Sequence, residues 1–267
     1  MLNPLSGHSK WATIKHKKGA QDKARGKLFA KLIRQVEVAA REGGGDMTSN
    51  ATLRSMYQKA RDASVPTDTI DRAVKRGTGE LEGVRYEPVS YEGYAPAGVA
   101  VIVECLTDNR NRTGSDVRNI FTKNGGSTAE PGAVSWQFER KGVVILPRQV
   151  TPDQKTPDQT AEDDLMLVAL EAGAEDLEDQ GDTWQLTGRP TDLMGLRGAL
   201  EEEGMAVDSA EVTMMPTTVV PLESEGDARR VLRLIDLLEE HDDVANVYAN
   251  FDIPDSVIDS QASLLVE

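Results

Sequence analysis

The spacing of apolar residues first changes at about Tyr86, and that change limits the fold more than any other feature. Before it, apolar residues recur at helical spacing: Phe29, Leu32, Ile33, Val36 and Ala40 share one face from Leu28 onward. Gly43, Gly44 and Gly45 end that helix. Asn50 can cap a second helix carrying Leu53, Met56, Tyr57 and Ala60. Pro66 and Thr67 open a third, with Ile70, Ala73 and Val74, and Gly77 stops it. From about Tyr86 the period is two. Residues 86–93 and Val99–Leu106 read as strands joined by a turn over Gly93–Gly98.

After that switch, helices and strands alternate. Thr113 and Asp116 form a capping box for a helix with Val117, Ile120 and Phe121, closed by Asn124, Gly125 and Gly126. Alternation resumes over Ala133–Phe138. Then come a strand at Val143–Leu146 and a helix capped by Thr160 and Asp163. Strands at 175–179 and 183–187 follow, then a helix through Leu193, Leu196 and Leu200, and a strand from about Val207. That order is β-α-β-β-α-β, the split βαβ pattern. Strand 99–106, helix 113–124, strand 211–220, helix 227–240 and strand 244–252 make a second such sheet, with residues 140–210 inserted. The expected class is α+β: a helical bundle followed by two ferredoxin-like domains, the third inserted in the second. The boundaries are 1–84 for arm and bundle, 85–139 with 211–255 for the middle domain, and 140–210 for the insert. Residues 148–161, with two TPDQ copies, read as a surface loop.

Charge bears on partners. The chain is 267 residues long with a net charge of -15, which by itself disfavours nucleic acid. Its distribution reverses this. Residues 1–85 hold 17 Lys and Arg against 9 Asp and Glu, and the remainder holds 13 against 36. One end attracts polyanions and the rest repels them. The density peaks at Lys10, Lys15, Lys17, Lys18, Lys23, Arg25 and Lys27, against the single acid Asp22, and continues to Lys31 and Arg34. Cations at this density neutralise phosphates and release counterions. Trp11 can stack on an unpaired base, and His16 lies among these cations. A solvated basic tail with Trp11 packed on the bundle fits the same residues. A second feature, Asn109-Arg110-Asn111-Arg112-Thr113, puts Arg110 and Arg112 at a helix N-terminus that favours anions. An ordinary polar strand-to-helix turn reads the same way.

No catalytic constellation assembles. His8, His16 and His241 are scattered, Cys105 lies in an apolar strand, and the acidic pairs read as solvated surface. A phosphate-binding loop at Arg76–Gly79 lacks the P-loop signature. No metal or cofactor is expected. One cysteine and a start without an apolar core predict a cytoplasmic protein, and no run is long enough for a membrane helix.

The run from Ser6 to Lys18 (SGHSKWATIKHKK), then AQDKARGKLFAKLIRQ at 20–35, DNRNRT at 108–113, KNGG at 123–126 and SWQFERKG at 135–142, resembles the YebC/PmpR family over nearly the whole chain. The resemblance implies a helical N-terminal domain and two α/β domains, the last inserted in the middle one, with no cofactor and a cytoplasmic location. It implies a transcriptional regulator that binds DNA. Some members are instead linked to translation, at the ribosome and on difficult nascent sequences such as proline runs, which would make ribosomal RNA the target. The protein is expected to act as a monomer. A protein-interaction module working through the acidic face is the third reading, in which neutralising Lys15, Lys17 and Lys18 leaves function intact.

Overall fold

Helix formation begins before the apolar stripe does. The computed structural model describes residues 22–148, 159–181 and 183–253. Its first helix, α1 (Asp22–Gly43), starts six residues ahead of Leu28. Lys and Arg are good helix formers, so the first turns need no buried face. After Gly43, Gly44 takes a left-handed φ of 83°. Asn50 caps α2 (Ala51–Asp62) by accepting from the Leu53 N–H at 2.9 Å. Then comes α3 (Thr67–Gly77). Gly77 does more than stop it. A Cβ there would lie 2.4 Å from the Glu37 carbonyl oxygen, so α1 and α3 touch backbone to backbone at this point. Beside the contact, the buried Glu37 carboxylate accepts from Arg76 Nε at 2.9 Å and from Arg41 Nη2 at 3.2 Å.

The strands are β1 (Glu87–Tyr94), β2 (Ala100–Thr107), β3 (Ser127–Ala129), β4 (Phe138–Pro147), β5 (Ala174–Asp179) and β6 (Thr183–Gly188), then β7 (Ser209–Pro216), β8 (Val220–Pro221), β9 (Val244–Ala249) and β10 (Phe251–Asp252). The remaining helices are α4 (Arg110–Lys123), α5 (Gln159–Glu171), α6 (Leu193–Glu202) and α7 (Glu225–Glu240). The described chain divides into two units, one from residues 22–56, 65–139 and 215–253, the other from 57–64, 140–148, 159–181 and 183–214.

In the first unit, four strands pair in the order β3-β1-β2-β9, each neighbour antiparallel. Val101, Val103 and Cys105 of β2 alternate onto one face. There they bury Val117 and Phe121 of α4 and Val231, Leu234, Ile235 and Leu238 of α7. Gly93 lets α4 and β3 close on β1, since a Cβ would meet Phe121 at 2.8 Å and the Ser127 carbonyl at 2.6 Å. In the second unit the order is β5-β6-β4-β7, with α5 and α6 closing a core of Leu146, Leu165, Leu186, Leu196 and Leu200. The last turns of α2 belong to this unit: Asp62 takes a two-pronged contact from Arg197 of α6, at 2.7 and 3.2 Å.

Three other sequence expectations are corrected. Residues 133–138 are no strand; Ser135–Gln137 is a 3-10 turn, and β4 begins at Phe138. The alternation is real, but it places Val134 and Phe138 as buried anchors either side of the turn. Residues 211–220 do not join the first sheet. Through Pro216 they lie in β7 of the second, and the first sheet uses β1 instead. Thr113 is not a cap. Asn109 starts α4 one turn earlier, its side chain accepting from the Arg112 N–H at 3.1 Å.

Candidate nucleic-acid interface

Lys10, Trp11, Lys15, His16, Lys17 and Lys18 lie outside the described residues. Lys23 falls on the first turn of α1. The Arg25 guanidinium sits 5.3 Å over the Phe29 ring.

Lys27, Lys31 and Arg34 are spaced i, i+4, i+7 and therefore share a face of α1. That face meets the C-terminus of α7. Lys27 donates to the Glu240 carbonyl at 3.3 Å, Lys31 to the Glu239 carbonyl, and Arg34 to the Asp242 carbonyl at 2.7 Å. The last carbonyls of a helix have no partner within it and carry the negative end of its dipole, so cations belong there. Burial pushes the Lys31 ammonium down to about 8, against the pull of Glu239 and Asp242.

Arg112 reaches the same place from α4. Its Nη2 donates to Asp108 at 2.6 Å and to Asp243 at 3.1 Å, while Arg34 meets the other Asp243 oxygen at 3.3 Å. Asp243 is buried and also accepts from the Thr113 hydroxyl at 2.7 Å. Burial pushes its carboxyl up; the Thr113 hydroxyl and Arg112 guanidinium outweigh this and hold it below the usual range. A hollow of about 450 Å³ is lined by Lys27, Arg34, Arg112, Glu240, His241, Asp242 and Asp243. Its cations are matched by carboxylates, so part of the basic segment joins α1 to the α/β core.

Other cations stay available. Arg110, Arg118 and Lys123 of α4 are exposed and, among the described residues, have no ion-pair partner. Sequence reasoning singled out Arg110 and missed the other two. Their helical spacing gives little signal: at 100° per residue, Arg118 and Lys123 lie about 140° apart on α4, with Asn111, Arg112, Ser115, Asn119 and Thr122 between them and Asp116 about 20° beyond Lys123. Trp136 was also missed as a candidate. It is 71% exposed, the most exposed large apolar side chain described. The Cys105 thiol is pushed up to about 12 by burial and by the Asp243 charge, so it is no activated nucleophile.

These features define a class: an α+β protein of mainly antiparallel strand pairs with one parallel pair, β8–β10, and seven described helices, with no long apolar helix among the described residues. Comparison with known proteins agrees and goes further. A family model for the TACO1/YebC N-terminal domain matches residues 9–80, and one for the TACO1/YebC second and third domain matches 86–251. A relative from Beutenbergia cavernae, named "Probable transcriptional regulatory protein", is 55% identical over 95% of this chain and 98% of its own. One of the same name from Thermobifida fusca is 53% identical over the same shares. The crystal structure of a conserved hypothetical protein from Aquifex aeolicus superposes with a TM-score of 0.76. It shares 43% identity and covers 88% of this chain and 93% of that one. The chain belongs to the TACO1/YebC family. Its relatives are named as regulators, not as enzymes.

Proposed function

We propose that this protein is a non-enzymatic, nucleic-acid-binding regulator of gene expression, acting on transcription through DNA as its relatives' names suggest. It works as a cytoplasmic monomer. The observation that carries this reading is charge segregation: seven cations against one acid between Lys10 and Lys27, in a chain of net charge -15. Phosphate contacts of this kind give salt-sensitive binding, and the acidic remainder keeps the body from lying along the polyanion. Lys10, Lys15, Lys17, Lys18, Lys23 and Arg25 make the phosphate contacts, with Trp11 and His16 among them. Lys27, Lys31 and Arg34 continue the track where their contacts with α7 leave them accessible.

A second reading, an RNA-binding translation factor at the ribosome, is favoured by α3. A helix that reads the DNA major groove presents several polar side chains along one face. Of the three cations on α3, Arg76 is held by Glu37, leaving Arg72 and Lys75. We also read the chain as three domains, with the inserted one ferredoxin-like; the strand order β5-β6-β4-β7 around α5 and α6 supports this.

Crosslinking of the tagged protein in its own cells, with DNA and RNA both sequenced, separates the readings. Peaks at a few promoters support transcription. Crosslinks concentrated on ribosomal RNA support translation. Recovery of neither would refute nucleic-acid binding.

A further inference from the structure

Helix α5 is apolar on two sides, and the rest of its unit covers one of them. Leu165 and Ala169 are buried in the core of the second unit, with Val168 and Ala172 packed against it. Met166, Leu167 and Leu170 are 43%, 59% and 62% exposed. At 100° per residue these three span an arc of about 100° on the side of the helix away from that core. Helix propensity does not require them, since Lys, Gln and Glu serve an exposed position as well. A helix that is apolar all round belongs between two surfaces. Three neighbouring apolar side chains left in water are unfavourable unless something covers them.

The charge around the stripe narrows what covers it. Glu171 follows Leu167 by four residues and Asp164 precedes it by three, so both flank the stripe on the Leu167 side. Both are exposed, and among the described residues no cation pairs with either. Residues 140–214 hold 6 Lys and Arg against 17 Asp and Glu. Four of those cations are already taken. Lys141 meets Glu175 at 2.7 Å, Arg148 meets Asp179 at 2.6 Å and Arg189 meets Asp192 at 2.8 Å. Arg197 meets Asp62 and Glu201 at 2.7 and 2.8 Å. The uncompensated charge is negative, and it draws cationic partners. A second copy of this chain would set the same acids against one another. Nor do three side chains supply the roughly 800 Å² per partner that a stable dimer buries. A basic partner avoids the repulsion and adds charged contacts around the stripe. Its apolar residues cover the leucines, and its lysines or arginines meet Asp164 and Glu171. Thirteen residues of α5 extend about 20 Å, which matches a partner helix with apolar anchors at i, i+3 or i+4, and i+7.

We infer that the outer face of α5 is a docking surface for a basic amphipathic helix of another protein, its apolar side on Met166, Leu167 and Leu170 and its cations on Asp164 and Glu171. The inference goes beyond the nucleic-acid-binding reading and does not depend on it.

The test uses the full chain and a fluorescein-labelled synthetic peptide of about eighteen residues, with leucines at helical spacing on one side and lysines on the other. Binding is followed by anisotropy across a salt series. One control peptide has the same composition scrambled, so that it has no apolar side. A second replaces every lysine with glutamate. The variants are Leu167→Gln with Leu170→Gln, and Asp164→Asn with Glu171→Gln. All four side chains are exposed, and circular dichroism checks that each variant folds. The leucine pair should weaken binding on the order of ten-fold with its salt dependence unchanged. The acidic pair should weaken it about three- to ten-fold at low salt, and less as salt rises. Both control peptides should bind more weakly than the basic amphipathic one by on the order of ten-fold or more. Wild-type affinity in either variant pair overturns the inference. Equal binding of the scrambled peptide overturns the helical mode, and equal binding of the glutamate peptide overturns the basic partner. An unmodified protein that binds no peptide overturns the inference as well. A dimer in sedimentation that the leucine pair abolishes would assign the face to a second copy instead. Flotation with phosphatidylcholine vesicles that the leucine pair abolishes would assign it to a lipid surface. Either result overturns the inference and leaves the functional reading intact.

Discussion

Replacing Asp243 with Ala is the sharpest test of how the basic residues divide between structure and function. The Asp243 carboxylate is buried and accepts from Thr113 at 2.7 Å, Arg112 at 3.1 Å, and Arg34 and Thr107 at 3.3 Å each. Hydrogen bonds to a charged group contribute roughly 1.5–3 kcal/mol each when shielded. Arg112 is half exposed, and solvent screening leaves its contact adding little. The buried Thr113 bond, the partly buried Arg34 contact and the stranded guanidinium together give a loss of about 3 kcal/mol. For a unit of this size that lowers Tm by roughly 6–12 °C, measurable by calorimetry. The effect also has a pH signature. The folded carboxyl lies below its unfolded value, so its contribution is complete above the ordinary carboxylate range and lost as pH falls through the depressed folded value. The gap between wild type and Asp243→Asn should therefore close in acid. A Tm shift of Asp243→Ala under about 2 °C at neutral pH would refute this account of the junction.

Three further outcomes follow from the geometry. The Lys31 ammonium sits near 8 when folded and near 10.5 when unfolded, so the unfolded chain binds more protons in that window. Urea-measured stability should thus rise between about pH 8 and 10.5, and Lys31→Met should flatten the rise. Gly77→Ala drives a Cβ against the Glu37 carbonyl and should cost about 1–3 kcal/mol by urea unfolding, where an ordinary helical Gly→Ala change would stabilise. Arg197→Met removes the partner of Asp62 and should cost about 2 kcal/mol, with Asp62→Ala adding little on top of it in a double-mutant cycle.

Much of the fold was legible because apolar spacing reports burial directly. Asn50 as a cap, the turn at Gly125 and the strand pair at 175–187 all follow from local chemistry, and the structure places them there. What failed had a longer range. Thr113 looked like a cap because its spacing to Asp116 fits a capping box, yet its hydroxyl is claimed by Asp243, 130 residues away. Residues 211–216 alternate as a strand should, but no pattern within them says which of two sheets they join. Lys27, Lys31 and Arg34 show why charge density overreads a site: their spacing suits a phosphate track, and it equally suits the end of α7. Arg118 and Lys123 were underread because each sits outside the dense basic segment, where charge density gives no signal.

The most direct test of the central claim is the salt dependence of nucleic-acid binding by the full chain and by its Lys15→Glu, Lys17→Glu, Lys18→Glu variant, on several duplex and single-stranded sequences. The account predicts weaker binding by the variant on every sequence, with the slope of log K against log salt reduced by about two to three. Unchanged affinity and slope in the variant would contradict it.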